Sequence, residues 1–442
     1  FHYVLCLSEA KGMDIIMKKR ANKFIAMGLT MALGASILAG CGGDEKSKGG
    51  KTNLSVGIWD TNQKATLEKM IKAYTEENPD VSIEIQLTPW KDYWTKLEAS
   101  ATGGTAPDVF WLNTLHAEVY QEGGILADLT EPAEKSDIGL YENYAKAMTD
   151  SYTIDGKLYA IPKDTGTAAL WYNKELFDKA GVAYPTDDWT WEDMLAASEK
   201  LKGNMGDGVY AIGAPVDFEN YSSTIFAAGG NIMSEDKKEP TYTMPETMEG
   251  VQCWIDLIDK GYSPSVADLT DSSAATRFEA GRLAMFLGGS YMTTQFASNE
   301  EIKDKINLVE YPSYNGKEPN MAGGLGYAVY ENSKQKDAAI DFALWLGSEE
   351  AMKIQGEMGS VISARTDAQK YFADTIPEWN LAAFTNHIDE AVPMPYCKSM
   401  SEIRDLEVKK YTEAFTGEKT IEEVSKQLQK EAQEIYDRMN EK

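Results

Sequence analysis

The chain runs to 442 residues with 70 acidic against 43 basic side chains, a formal net charge of −27. So acidic a polypeptide is a poor match for nucleic acid or an anionic bilayer surface. Three histidines and four cysteines without CxxC or HExxH spacing argue against a transition-metal centre. A length this far beyond what one hydrophobic core serves predicts two lobes.

At the N-terminal end, Lys18, Lys19, Arg20 and Lys23 form a positive cluster. Residues 24–38 follow as a mostly apolar run of signal-peptide length, too short to span a bilayer comfortably. The run closes on Leu38-Ala39-Gly40-Cys41, which resembles the lipobox of bacterial lipoproteins. The resemblance implies thioether lipidation of Cys41, cleavage just before it, and a tether to the outer face of a membrane. The alternative is an ordinary signal peptide with an incidental cysteine. Residues 1–14 match no part of a signal peptide, so Met17 or Met13 is the expected start. Without residues 1–40, which hold five basic and two acidic side chains, 402 residues remain at a net charge of −30. Residues 42–51 are polar and glycine-rich and read as a flexible tether. No later apolar stretch reaches membrane-spanning length.

The folded part opens with a βαβ pattern. Leu54, Val56 and Ile58 alternate as a strand. Leu67, Met70, Ile71 and Tyr74 line one helix face ending near Asn78-Pro79, and Val81, Ile83, Ile85 and Leu87 alternate again. A parallel pair with a right-handed crossover follows from that order. A helix over 91–100 points Tyr93, Trp94 and Leu97 inward, and residues 108–113 form the next strand. Residues 152–162 read as a hairpin turning at Asp155-Gly156. An apolar strand over 168–172 leads into a helix over 174–180 that stops at Gly181. Thr190 caps a helix over 191–202, with Asp193 at its third position. Residues 211–215 read as a strand. The last helix, 421–439, is amphipathic through Ile421, Val424, Leu428, Ala432, Ile435 and Met439. Cys253 and Cys397 either pair or stand as two free thiols, the latter being the expectation.

Several segments then match a known family in order. They are Ala106-Pro-Asp-Val-Phe-Trp111, Asp155-Gly-Lys-Leu-Tyr-Ala-Ile-Pro162, Trp171-Tyr-Asn-Lys-Glu-Leu-Phe177 with Ala180-Gly181, and Trp189-Thr-Trp191. Phe278-Glu-Ala-Gly-Arg-Leu-Ala-Met285 with Gly288-Gly289-Ser290-Tyr291, and Gly323-Gly324-Leu-Gly-Tyr-Ala-Val329, complete the set. Together they resemble the family 1 extracellular solute-binding proteins, sugar-capturing subunits of ABC importers similar to maltose-binding protein. The resemblance implies an α/β, two-lobe, periplasmic-binding-protein-like fold of type II, with mostly parallel sheets flanked by helices. Three hinge crossings would lie near 163–167, 320–323 and 364–367. The lobes would hold 52–163 plus 322–366, and 167–319 plus 368–442. It further implies no catalysis, no cofactor, a permease partner, a monomeric receptor and, given the anchor, a Gram-positive cell.

Open α/β sheets bind ligands at the carboxyl ends of their strands. Trp59-Asp60 follows the first strand there, and Trp111 with Asn113 closes the third. A pyranose offers an apolar C–H face to an aromatic ring and a rim of hydroxyls to Asp, Asn or Glu. The candidate ligand contacts are therefore Trp59, Asp60, Trp111 and Asn113 from the first lobe, and Glu219, Tyr221, Ser290 and Tyr291 from the second. Asp164, Gly323 and Gly324 are added at the crossings. Each has a structural rival: core tryptophans, helix caps, core packing for Tyr221, and a backbone requirement for the glycines. A secreted glycoside hydrolase is the main competing class, but no GxSxG, Walker A or GxGxxG pattern is present.

Overall fold

Leu54, Val56 and Ile58 are buried along β1 (Thr52–Ile58), so the alternation read from sequence is the alternation of a half-buried strand. The computed structural model describes residues 51–317, 320–397 and 399–440, and residues 52–442 form one unit. Cys41 and its lipobox lie outside the described residues. From β1 the chain passes through α1 (Lys64–Glu77) to β2 (Val81–Leu87), then through α2 (Trp90–Thr102) to β3 (Val109–Asn113). Leu67, Met70 and Tyr74 of α1 face the core as the helical spacing predicts. Helix α3 (Thr114–Glu122) follows directly, and a hairpin of β4 (Thr153–Ile154) and β5 (Lys157–Leu158) turns through Asp155 at φ 51° and Gly156 at φ 76°.

With β6 (Ile161–Pro162) and β11 (Leu325–Val329), these strands make a five-stranded sheet in the order β2-β1-β3-β11-β6. The β2-β1-β3 ribbon is parallel, whereas β11 runs antiparallel to both β3 and β6. A second sheet, β8-β7-β9, joins β7 (Ala168–Asn173), β8 (Met285–Gly289) and β9 (Ile306–Val309). Both of its pairings are antiparallel. The expectation of mostly parallel sheets is thus corrected to mixed sheets. Short β–helix–β crossovers impose parallel pairing on β1, β2 and β3, while more than a hundred residues separate β7 from β8, a connection long enough for the strand to return in either direction.

Between them, helix α4 (Lys174–Ala180) ends at Gly181 in the left-handed conformation, and α5 (Trp191–Leu201) carries the Thr190/Asp193 capping box in full. Residues 211–215 do not form a strand. They run beside β8 with a single bridge, Tyr210 to Leu283, and Gly213 fits against Ala274 and Leu283 where a Cβ would collide. Two further helices, α6 (Phe218–Ala228) and α7 (Pro245–Asp259), pack closely. Next come β10 (Met321–Ala322), α8 (Lys336–Leu346), α9 (Glu349–Glu357) and β12 (Val392–Pro393), and the chain ends in α10 (Met400–Phe415) and α11 (Ile421–Asn440).

One hydrophobic core surrounds the five-stranded sheet, drawing on residues from Leu54 to Ile161 and again from Tyr327 to Ala368. The three-stranded sheet is covered on both faces. Leu170, Tyr172 and Leu287 face a core with α6, α7, α10 and α11, and Ala169, Trp171 and Phe286 face another containing Phe296, Trp379 and Phe384. The cores meet where three segments are hydrogen-bonded together. Gly166 pairs with Gly323, Asp164 with Ser363, and Thr165 N donates to Ile362 O at 3.1 Å. Asn320 clasps the backbone of Ala168, its Oδ1 accepting from N at 2.9 Å and its Nδ2 donating to O at 2.5 Å. Cys253 and Cys397 are both free thiols.

The α6–α7 crossing depends on Gly250. A Cβ there would stand 2.4 Å from backbone atoms of Ile225, and Gly250 O accepts from Thr224 Oγ1 at 2.7 Å, itself bonded by Trp254 Nε1. Because backbone cannot yield as a side chain does, Gly250→Ala is expected to destabilise the protein by about 2 kcal/mol or more, read as a lower urea midpoint with an unchanged slope.

Candidate functional site

The sheet register brings the strand ends together. Leu325, the first residue of β11, lies opposite Asn113, the last of β3, and Pro162 of β6 lies opposite Gly326. One edge of the five-stranded sheet therefore carries Trp59-Asp60 after β1, Trp90 after β2, Asn113, Gly323-Gly324 before β11, and Lys163-Asp164 after β6. In the second sheet Ala168 lies opposite Gly289, so Ser290 and Tyr291 emerge beside the same crossing.

Trp59 is half-buried at the centre of an aromatic group. Its ring meets Trp90, Tyr93, Trp94 and Trp111 at centroid distances of 5.0, 4.8, 5.6 and 5.2 Å, edge-on or tilted in every case. Such edge-to-face packing fixes a ring without covering its face. Trp90 is 37% exposed. His116 stacks flat on Trp94, centroids 3.7 Å apart, and burial holds its imidazole down at about 4, so it is neutral at physiological pH. Asp60 is also half-buried and accepts from Asn62 N at 2.8 Å and Gln63 Nε2 at 2.9 Å.

Across the crossing, Tyr291 is 50% exposed and its hydroxyl donates to Glu219 Oε2 at 2.9 Å. Gly289 makes room for that ring, since a Cβ there would stand 2.4 Å from Tyr291 Cε1. Glu219 sits in the first turn of α6, which Asp217 caps. Solvent reaches Glu219, yet the protein massed around it strips part of its hydration. With the Asp217 carboxylate close by, this raises its carboxyl to about 7, and the Tyr291 hydrogen bond opposes the rise. Behind them Arg404 lies 3.3 Å from the Phe218 ring centroid and pairs with Glu407 at 2.5 Å.

Not every expected residue reaches this edge. Trp111 is 1% exposed, with Lys163 Nζ 4.7 Å from its ring centroid, and its buried indole N–H meets no acceptor. Tyr221 is fully buried between Phe218, Tyr411 and Phe415. In this conformation both serve packing, because their helix or strand turns them toward a core. Asn113 caps α3, its Oδ1 accepting from His116 N at 3.2 Å and lying 2.7 Å from His116 Nδ1. Ser290 is buried, and its N donates to Thr167 O at 3.2 Å. Asp164 is buried, pairs with Lys163 at 2.6 Å and accepts Leu325 N at 2.7 Å. A Cβ on Gly324 would stand 2.1 Å from Asp164 O, so that glycine is demanded by backbone approach; at Gly323 a Cβ would meet only Met394, at 3.4 Å. Trp90, Gln63 and Lys163 were not anticipated. Trp90 carried a signal, since it follows the second strand as Trp59 follows the first; a lone glutamine or lysine carries none.

This is the architecture of a binding protein: two α/β bodies joined by several crossing segments, with aromatic rings and polar side chains gathered at the junction. The bacterial extracellular solute-binding protein family matches residues 69–385, and the chain belongs to it. That is a binding family, not an enzymatic one. In structure the chain is similar to the ABC substrate-binding protein Lmo0181 from Listeria monocytogenes in complex with cycloalternan, at 30% identity and a TM-score of 0.78 over 86% of this chain and 98% of that one. The sugar-binding protein MalE of Xanthomonas citri shares the fold, at 19% identity and a TM-score of 0.76 over 88% and 98%. Among sequences, the arabinooligosaccharide-binding protein of Bacillus subtilis is 25% identical over 76% of this chain and 78% of its own.

The raised Glu219 carboxyl has a consequence for stability. Its folded value lies above the ordinary 4.5, so the folded state holds the proton more tightly; the stabilisation is present below about 4.5 and is lost as pH climbs through about 7. Relative to Glu219→Gln, the wild-type melting temperature is expected to fall between pH 5 and pH 8, as followed by thermal melts in matched buffers.

Proposed function

We propose that this chain is a lipid-anchored receptor that captures a sugar, most readily an oligosaccharide, and delivers it to the permease of an ABC importer. The observation that carries the reading is the pair of partly exposed indoles, Trp59 and Trp90, beside the Asp60 carboxylate and opposite the Tyr291–Glu219 pair. Rings cover the C–H face of a pyranose, while carboxylates accept from its hydroxyls. Buried hydroxyls left unpaired cost about 1–3 kcal/mol each, which gives such a site its selectivity. The relatives' names, cycloalternan, MalE and arabinooligosaccharide, support the same substrate class.

The lobes, 52–163 with 322–366 and 167–319 with 368–442, close over ligand by bending at the crossings, driven by a higher affinity of the closed state. The proposed contacts are Trp59, Asp60, Trp90, Glu219 and Tyr291, with Asn113, Asp164, Ser290, Gly323 and Gly324 shaping the floor. Docking on a permease uses the outer faces of the closed monomer. No helix among the described residues is long and apolar enough to cross a membrane, so attachment rests on Cys41, at the extracellular face of a Gram-positive cell.

Tryptophan fluorescence titrations with cycloalternan, arabino-oligosaccharides, maltotriose, amino acids, peptides and polyamines test the substrate class. A response to one sugar class is expected, with Trp59→Ala and Trp90→Ala each weakening it at least about tenfold, the scale of one lost stacking contact. A response confined to peptides or polyamines refutes the sugar reading. For the anchor, labelling cells with a clickable palmitate analogue is expected to mark the wild type and not Cys41→Ala; equal labelling of both refutes it.

A further inference from the structure

A buried lysine is rare unless its charge is matched. Lys163, immediately after β6, has a side chain only 2% exposed, and its ammonium is committed in three directions. It donates to Asp164 Oδ2 at 2.6 Å and to Gln63 Oε1 at 2.7 Å, and it lies 4.7 Å from the Trp111 ring centroid. An ammonium only donates, so the Gln63 carbonyl must face it. The Gln63 amide nitrogen is thereby aimed at Asp60 Oδ2, 2.9 Å away. At the other end, the second oxygen of Asp164 accepts from Leu325 N, and Lys163 O accepts from the buried Gln355 Nε2 at 3.0 Å. An unbroken polar chain thus runs from Asp60 at the sheet edge through Gln63, Lys163 and Asp164 to the first residue of β11.

We propose that Gln63 and Lys163 are positioning residues that couple the Asp60 carboxylate to the first inter-lobe crossing. The proposal rests on the reading above in taking Asp60 as a ligand contact. A carboxylate has acceptor sites to spare beyond Asn62 N and Gln63 Nε2, so a ligand hydroxyl adds to the chain without breaking it. Ordering Asp60 then orders Gln63, and through the shared ammonium it orders the Asp164 carboxylate that holds β11. Hydrogen bonds in such a low-dielectric chain reinforce one another. Trp111 supplies the wall that keeps water from the ammonium, which accounts for a buried tryptophan at a strand end where a stacking ring was expected.

Hydrogen exchange at single-amide resolution tests the coupling in the full chain without ligand. Gln63→Leu is expected to speed exchange of the Leu325 and Thr165 amides about tenfold, while leaving the Leu170 and Trp171 amides of β7 unchanged. Asp60→Asn is expected to speed Leu325 exchange alone but to add nothing in the Gln63→Leu background. Gln63→Glu keeps an acceptor for Lys163 but offers Asp60 no donor; it is expected to restore Leu325 protection and to abolish the response to Asp60→Asn. Unchanged Leu325 exchange in Gln63→Leu, or an Asp60→Asn effect that adds in full to it, overturns the proposal. Saturating cycloalternan is then added to the wild type. Coupling seen without ligand, but no slowing by cycloalternan or by the other sugars titrated above, counts against the sugar reading and leaves the positioning role standing.

Discussion

Asp164 occupies the point at which the two bodies of the chain meet, and its carboxylate is buried there. A buried charge is costly unless it is paired and its remaining lone pairs are satisfied. Here one oxygen takes the Lys163 ammonium and the other takes the Leu325 amide. Backbone closes in around the pair: Gly324 passes so near Asp164 O that no side chain fits, and Gly166 and Gly323 exchange hydrogen bonds beside it. The first crossing is thus fastened to the five-stranded sheet by charge and to the second crossing by backbone pairing. Everything placed at the junction inherits its position from that arrangement.

The two sides of the junction are built differently. On the first, a group of aromatic rings supports Trp59 and Trp90 edge-on, leaving polarizable faces in contact with water. On the second, a single exposed ring, Tyr291, is tied by its hydroxyl to Glu219, whose carboxyl is poised near neutrality by its surroundings and by Asp217. Apolar stacking on one body and hydroxyl-accepting carboxylates on the other divide the recognition of an amphipathic ring between them. Neither body alone presents both kinds of surface, so engaging both would require the bodies to come together.

Much of this was legible in the chain. Period-two and period-3.6 patterns located β1, α1, β2 and β3, and the Thr190/Asp193 cap and the Gly181 stop marked helix ends that the structure reproduces. The strand ends carrying Trp59, Asp60 and Asn113 followed from the rule that open sheets present their carboxyl ends to ligands. What misled was the direction of individual side chains. Trp111 and Trp59 lie at equivalent strand ends, but Trp111 turns into the core. Tyr221 stands on a helix face covered by Tyr411 and Phe415, elements nearly two hundred residues away in sequence.

By itself the sequence determined the local elements, the two-body organisation and the chemistry available at the strand ends, because hydrophobic period, caps and turn residues act over a few residues. Only the tertiary structure decided strand direction in the second sheet, which tryptophans remain open to solvent, and the joining of Asp60 to the crossing through Gln63 and Lys163. Those depend on contacts between residues a hundred or more positions apart, where no local pattern constrains the partner. A lysine between a proline and an aspartate reads as a solvated charge until the fold surrounds it.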